Sequence, residues 1–203
     1  MVELNNTFYQ QPSPAKVATW LAATPTDFRF VVKAQRSSYR HLVGTPDPGL
    51  PWLTDPYRHF GERLGSVLFR VPASVKRDDA HLVALLEAWP ADLPLTLEFQ
   101  DPSWQVDETI EALSAAGAAL CATDLPDDPT PPTLRRTAPF LYLRLRRHDY
   151  DASEIAAWAA RLDPFLADGT DVYVFFRHDE VGRGPELALE LTAAVAALRD
   201  TSG

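Results

Sequence analysis

The stretch Phe140-Leu141-Tyr142-Leu143-Arg144-Leu145-Arg146-Arg147 places a leucine at every second position and mostly polar side chains between them. Successive side chains of a β-strand point to opposite faces of a sheet, so this period of two predicts a strand. The leucines form one face, which we expect to pack against helices. Tyr142, Arg144 and Arg146 form the other face, which is therefore expected to carry polar chemistry.

Strand-like segments recur along the whole chain, and helical spacing separates most of them. The strand-like segments are Val2–Asn5, Asp27–Lys33, Leu64–Val71, Pro94–Phe99, Ala118–Thr123, Phe140–Arg147 and Asp171–Arg177. Helices are predicted at about 14–23, 56–63, 77–89, 107–116, 152–167 and 184–199. Strands that alternate with helices indicate a parallel sheet. We therefore predict an α/β fold over a single domain, residues 1–203, that is TIM-barrel-like with seven of the eight strands visible.

The composition is typical of a globular protein. The chain has 203 residues, of which 46% are hydrophobic and 23% charged, enough to bury one core. No apolar run approaches the roughly 20 residues that a membrane helix needs, so no membrane association is expected. The only cysteine, Cys121, fits a reducing cytoplasm, where we predict the protein to act. The net charge of −9 disfavours a general polyanion binder but is compatible with a local positive site.

Polar side chains at the carboxyl ends of the strands form the predicted site, because parallel βα folds bind ligands there. The alternation pairs Val31 with Lys33, Leu68 with Arg70, Thr96 with Glu98, Leu120 with Asp124, and Phe175 with Arg177. Glu3 and Asn5 belong to the first strand. The ring then carries five positive and three negative charges: Lys33, Arg70, Arg144, Arg146 and Arg177 against Glu3, Glu98 and Asp124.

An excess of arginine favours an anionic ligand, since guanidinium groups bind phosphate and carboxylate through paired hydrogen bonds. The alternative is a structural role, in which these charges form interior salt bridges. The loop Asp179–Pro185, which leads into the last helix, is a second place for an anion, and a simple turn is the alternative interpretation there.

Several motifs resemble the YecE-like family, also called domain of unknown function 72. They are Glu3-Leu4-Asn5-Asn6-Thr7-Phe8-Tyr9, Trp20, Thr24-Pro25, Phe28-Arg29-Phe30-Val31-Val32-Lys33, Leu64–Phe69 with Pro72, Leu97-Glu98-Phe99, Ser103-Trp104, Asp124, Tyr142–Leu145 and Tyr173–His178. The resemblance covers nearly the whole chain. It implies a TIM-barrel-like fold and no established reaction.

The chain departs from that family pattern in two places. Family members usually have a further strand before the Glu-x-Asn motif, whereas here Met1 lies next to it. We expect either a start upstream of Met1 or a gap closed in another way, for example by a partner chain in an oligomer. The second departure is Arg146, where many members have a histidine. Acid–base or metal chemistry at this position is therefore not expected.

No cofactor or metal is predicted. Glu3, Glu98, Asp124, His41 and His178 are residue types that bind metals, but their spacing matches no metal motif. The aromatic candidates for stacking on a ligand ring are Tyr9, Trp20, Trp52, Trp104 and Tyr142, although the helical apolar face that carries Trp20 favours core packing for that residue. Trp104 is the preferred one because it closely follows Glu98.

Three hypotheses remain open at this point. The first is an enzyme for a phosphate-bearing or other anionic small molecule, with Glu98 or Asp124 as general acid or base and Lys33, Arg144 and Arg177 on the anion. The second is a nucleic-acid-binding or -processing barrel, which the acidic net charge disfavours. The third is a non-catalytic protein whose charged ring is structural.

Overall fold

The sequence folds into seven parallel strands that pair in sequential order, from β1 next to β2 through to β7. The computed structural model describes residues 1–44, 49–177 and 182–202. The strands are β1 Val2–Leu4, β2 Phe30–Lys33, β3 Leu64–Val71, β4 Leu95–Phe99, β5 Ala119–Asp124, β6 Phe140–Leu145 and β7 Asp171–Phe176. All seven predicted strands are confirmed. Strand β6 is two residues shorter than predicted, so Arg146 and Arg147 belong to the loop that follows it.

The helices between the strands agree with the predicted positions, with two corrections. They are α1 Pro14–Ala22, α2 Leu50–Thr54, α3 Asp79–Ala88, α4 Asp107–Ala116, α5 Ala152–Ala167 and α6 Arg183–Ser202. The short α2 was not predicted. The segment predicted as a helix at 56–63 is a 3-10 segment, Asp55–Arg63, which Gly61 interrupts with a backbone φ of 54°.

Local hydrogen bonds explain where the helices begin and end. Ser13 caps α1 by accepting a hydrogen bond from the Lys16 amide, and Pro14 occupies the first turn, as predicted. Helix α5 begins with a capping box between Asp151 and Glu154. Helix α4 ends at Gly117, whose φ of 65° allows the next amide to bond back to the Leu113 carbonyl.

The chain forms two compact units, Met1–Leu120 and Cys121–Gly203. In the first unit, one face of β2, β3 and β4 packs on helices α1, α3 and α4. The apolar cluster on that face includes Val17, Phe30, Val32, Val67, Phe69, Leu82, Leu85, Leu95, Leu97 and Leu113. The opposite face of the same strands carries Val31, Ser66, Leu68, Thr96 and Glu98, all buried. A hydrogen bond of 2.7 Å between the Ser66 and Thr96 hydroxyls supports this assignment of faces.

The second unit has its own core between the sheet and helices α5 and α6. Leu141, Leu143 and Leu145 of β6 lie in this core with Ile155, Trp158, Leu162, Leu187 and Leu191. The predicted phase of β6 is therefore confirmed, because the leucines face the helices and Tyr142 and Arg144 lie on the other face. The alternating strand pattern was sufficient to fix which side chains the helices cover.

Candidate functional site

In the first unit, Arg70 and Glu98 form the central polar pair at the carboxyl ends of β3 and β4. The two residues are register partners in the parallel sheet. The Arg70 Nε lies 3.5 Å from the Glu98 Oε2, and Glu98 is only 5% exposed. A carboxylate this buried needs compensation for its lost hydration, and the guanidinium supplies it. The pair can hold a charge or transfer a proton at this end of the sheet.

Lys33, Asn5 and Glu3 lie at the ends of the neighbouring strands β2 and β1. The Lys33 Nζ is 3.5 Å from the Asn5 Oδ1 and 4.4 Å from the centre of the Phe8 ring. The Thr7 hydroxyl is 2.6 Å from the Leu4 carbonyl oxygen and 2.8 Å from that of Lys33, which fixes the two strand ends together. Glu3 is half-buried and pairs in register with Val31. These residues therefore lie at or just past the ends of the neighbouring strands β1 and β2.

Trp104 lies in the core of the first unit. Its side chain is 1% exposed, stacks on Phe99 at a centroid distance of 4.5 Å, and donates its indole hydrogen to the Val75 carbonyl at 3.0 Å. Each group of the side chain therefore already has a protein partner. This packing supports a structural role and leaves no ring face for a ligand.

In the second unit, Tyr142 and Arg144 lie on the face of β6 opposite its leucines, and both are buried. Aromatic rings of β7 pack beside them. The Tyr142 ring is 5.2 Å from that of Phe175, and the Phe140 ring is stacked on that of Tyr173 at 5.1 Å. Arg144 is the register partner of Phe175, so the two residues lie side by side on the same face of the sheet.

Arg146 and Arg177 extend this face past the ends of the strands. The register of the two strands ends with Leu145 opposite Phe176, so Arg146 and Arg177 are the next residues after β6 and β7. Adjacent parallel strands lie about 4.8 Å apart, which brings the two arginine backbones close together. The Arg177 Nη1 lies 3.0 Å from the His148 Nδ1. Three arginines and a histidine therefore lie at or just past the carboxyl ends of β6 and β7.

Asp124 does not share that face, so its predicted orientation is wrong. It is the register partner of Leu145, and it alternates with Ala122 and Leu120, which pack against the cores on the helix-covered side. Cys121 and Thr123 lie on the other side of β5. The predicted pairing of Leu120 with Asp124 was correct, but the pair belongs to the opposite face.

Arg147 was not among the predicted site residues, and it explains the position of Asp124. The Arg147 Nε lies 3.0 Å from the Asp124 Oδ2, and its Nη2 donates to Oδ1 at 3.2 Å. The buried Tyr150 hydroxyl is 2.8 Å from Oδ2. Burial, together with the neighbouring Asp124 carboxylate, raises the pKa of Tyr150, so the hydroxyl stays protonated and acts as a donor. Both carboxylate oxygens of Asp124 are therefore engaged.

The predicted site residues thus form two sets. The first unit brings together Glu3, Asn5, Lys33, Arg70 and Glu98; the second brings together Tyr142, Arg144, Arg146 and Arg177. Residues 178–181, which include His178 and the first three residues of the loop Asp179–Pro185, lie outside the described residues. Within residues 1–44, 49–177 and 182–202, no three His, Cys, Asp or Glu side chains are grouped as metal ligands. None of the helices described there is long and apolar enough to cross a bilayer.

Comparisons with known proteins agree with this architecture. A family model described as "Protein of unknown function DUF72" matches residues 1–202. The UPF0759 protein YunF of Bacillus subtilis is 24% identical over 90% of this chain and 78% of its own length. A solved DUF72 family protein, EF0366 of Enterococcus faecalis, superposes with a TM-score of 0.82 at 21% identity, covering 96% of this chain and 89% of that one. Another, TM1631 of Thermotoga maritima, gives 0.73 at 26% identity, with 96% and 84% covered.

The fold is therefore α/β and TIM-barrel-like. Proteins of this class are grouped in a family that is described as having no known function. The chain belongs to the DUF72 family. Both the fold class and the family predicted from the motifs are confirmed.

Proposed function

We propose that the protein binds a phosphate-bearing or other anionic small molecule at the face of the second unit that carries Arg144, Arg146 and Arg177. The main observation behind this proposal is that the three arginines lie at or just past the carboxyl ends of the neighbouring strands β6 and β7. Guanidinium groups in such a set match the oxygen geometry of phosphate and carboxylate.

The position of Asp124 supports this proposal. A carboxylate on the arginine face would cancel part of its charge, but Asp124 points to the other side and binds Arg147 and Tyr150. Arg147 therefore neutralises the buried carboxylate on the helix-covered side, so Asp124 is not directed at Arg144. A group of arginines at the strand ends of a protein with net charge −9 would attract small anions locally.

The aromatic surface beside the arginines favours a ligand with a flat or apolar part. Tyr173 and Phe175 are half-buried on β7, and Tyr142 lies beside them on β6, with its ring 5.2 Å from that of Phe175. A ring placed against these side chains would hold its phosphate or carboxylate near Arg144. A sugar phosphate or a mononucleotide has this combination of groups.

Glu98 is our proposal for a proton-transfer group if the protein is an enzyme. The supporting observation is a buried carboxylate at a strand end beside the Arg70 guanidinium, in the first unit. Asp124 has no part in this proposal because both its oxygens have partners. A cytoplasmic location, inferred from the use of a single cysteine, completes the proposal.

The experiment is a calorimetric titration of the purified chain with inorganic phosphate, a sugar phosphate, a mononucleotide and a short single-stranded oligonucleotide. We expect one phosphorylated small molecule to bind, and Arg177→Gln and Arg144→Gln each to weaken it tenfold or more, since a hydrogen bond to a charged group contributes about 1.5–3 kcal/mol. Arg199→Gln is the matched control, because Arg199 is exposed on α6 and pairs with Asp163. Unchanged affinity in Arg177→Gln and Arg144→Gln would reject the site.

Salt dependence separates a small anion from a nucleic acid. Several phosphate contacts release several counterions, so oligonucleotide affinity would fall steeply between 50 and 200 mM salt, roughly a thousandfold or more for six contacts. A single phosphate group would give a shallow dependence. If no anion binds and Arg144→Gln only lowers stability, the arginine face is structural.

A further inference from the structure

The first unit carries two exposed aromatic side chains in the segments that follow β1 and β2, Tyr9 in the turn before α1 and Trp52 in the short helix α2. Tyr9 is 76% exposed and Trp52 is 47% exposed. The other four tryptophans of the chain, Trp20, Trp89, Trp104 and Trp158, are buried or half-buried. Large exposed rings in the segments that follow the carboxyl ends of βα strands are positioned where such folds bind ligands.

Hydrogen bonds hold the two loops next to each other. The Gln11 side-chain amide donates to the Trp52 carbonyl at 3.0 Å, and the Arg36 amide donates to the Phe8 carbonyl at 2.8 Å. Tyr9 lies between Phe8 and Gln11 in sequence, so the backbone on both sides of Tyr9 is held against the segment after β2. The aromatic side chains therefore extend from an anchored scaffold.

Polar groups lie beside Phe8, the ring that contacts Tyr9. Tyr9 meets Phe8 edge to face, with 5.3 Å between ring centres and an angle of 88°. The Lys33 Nζ lies 4.4 Å from the centre of the same Phe8 ring and 3.5 Å from the Asn5 Oδ1. Asn5 and Gln10 are exposed, so amide donors and acceptors border the rings.

We propose that Tyr9, Trp52, Lys33 and Asn5 form a carbohydrate-binding surface. Tyrosine and tryptophan rings offer apolar faces with a polar edge, which suits the C–H face of a sugar ring. The amide of Asn5 and the ammonium of Lys33 provide hydrogen bonds for hydroxyl groups. The nearby charges of Lys33 and Glu3 are opposite in sign, so this surface favours a neutral polyhydroxylated ligand, unlike the arginine face of the second unit.

The test uses the intrinsic fluorescence of the full chain together with calorimetry. Trp52 is the exposed indole, so a neutral disaccharide bound there should shift the emission of this residue. Tyr9→Ala should weaken disaccharide binding at least tenfold. Trp52→Phe should remove the fluorescence response while calorimetry still detects weakened binding. Both side chains are exposed, so neither variant is expected to prevent folding.

Two controls keep this proposal separate from anion binding. Trp89→Phe alters a half-buried indole that donates to the Leu93 carbonyl, and it should leave disaccharide affinity unchanged. Arg177→Gln should also leave it unchanged, since the proposed carbohydrate surface consists of Tyr9, Trp52, Lys33 and Asn5. If a panel of neutral mono- and disaccharides at up to about 100 mM gives no response, the proposal is wrong. Binding of uncharged nucleosides in place of sugars, or disaccharide binding that survives Tyr9→Ala, would also overturn it.

Discussion

The Tyr150 hydroxyl donates a hydrogen bond to the Asp124 carboxylate across 2.8 Å, which joins the loop after β6 to the end of β5. The Arg147 backbone amide in turn donates to the same tyrosine hydroxyl at 3.3 Å. The segment 146–150 is thus fixed from the helix-covered side of the sheet. Arg146 and His148 belong to this segment, so a buried hydrogen bond holds part of the proposed anion site in position.

Removing the Tyr150 hydroxyl should therefore cost stability and affinity together. In Tyr150→Phe, the Asp124 Oδ2 loses a donor in a buried position, which destabilises the folded state by about 1–3 kcal/mol. Denaturant unfolding measures this loss. If an anion binds as proposed, its affinity should also fall in Tyr150→Phe at protein concentrations where the variant is fully folded.

The control for that variant is Tyr9→Phe, which removes a hydroxyl from an exposed side chain. Its free energy of unfolding should stay within about 0.5 kcal/mol of the wild type. A Tyr150→Phe protein as stable as the wild type would contradict the structural importance of the bond.

The Arg147–Asp124 ion pair should show strong coupling. Asp124 is fully buried, and the Arg147 side chain is 26% exposed. Replacing only one partner leaves an unpaired charge, so Arg147→Gln and Asp124→Asn should each destabilise the protein, by about 3–5 kcal/mol where the remaining charge stays buried. The double variant should lose clearly less than the sum of the two single losses, by about 0.5–3 kcal/mol. Chemical denaturation of all four proteins completes the cycle, and additive losses would disprove the coupling.

The structure of β6 was predictable because its sequence alternates strongly. Leucine at every second position assigns one face to the helices, and Tyr142 and Arg144 follow on the other. Strand β5 offers no such contrast, since Ala119, Cys121 and Ala122 are small or apolar on both faces. The face of Asp124 could not be derived from that pattern, and its polarity suggested the wrong side.

Arg146 and Arg147 show a second limit of sequence reasoning. Adjacent arginines at a strand end have the same chemistry, and only the residue at which the strand ends determines which of them meets a buried carboxylate.

Trp104 shows a third limit. Nothing in Asp101-Pro102-Ser103-Trp104 signals that the Phe99 ring and the Val75 carbonyl are positioned to receive the indole.

Acid should weaken the protein partly through Asp101. Its carboxylate accepts hydrogen bonds from the Lys76 ammonium and from Ser103, which lower its pKa to about 2. A pKa depressed by folding stabilises the protein above the ordinary carboxyl pKa near 4, and this contribution is lost as the pH falls from about 4 to about 2. Asp101→Asn should therefore be less stable at pH 7 and show a flatter loss of stability over that interval.

Urea unfolding at a series of pH values measures both effects. Asp128→Asn is the comparison, because Asp128 is exposed in the loop after β5. Its stability curve should run parallel to that of the wild type. Wild-type and Asp101→Asn curves of equal slope between pH 4 and pH 2 would show that Asp101 contributes nothing to acid sensitivity.

Trp104→Phe distinguishes a core residue from a ligand-stacking one. The substitution removes the donor to the Val75 carbonyl and part of a ring that packs on Phe99. It should therefore lower the free energy of unfolding by about 1–3 kcal/mol. Trp52→Phe, at an exposed position, should change it by less than about 0.5 kcal/mol. Because the Trp104 ring is enclosed by protein, ligand affinity should be unchanged in Trp104→Phe when the variant is folded. Full stability combined with a large loss of ligand affinity would instead restore Trp104 as a stacking residue.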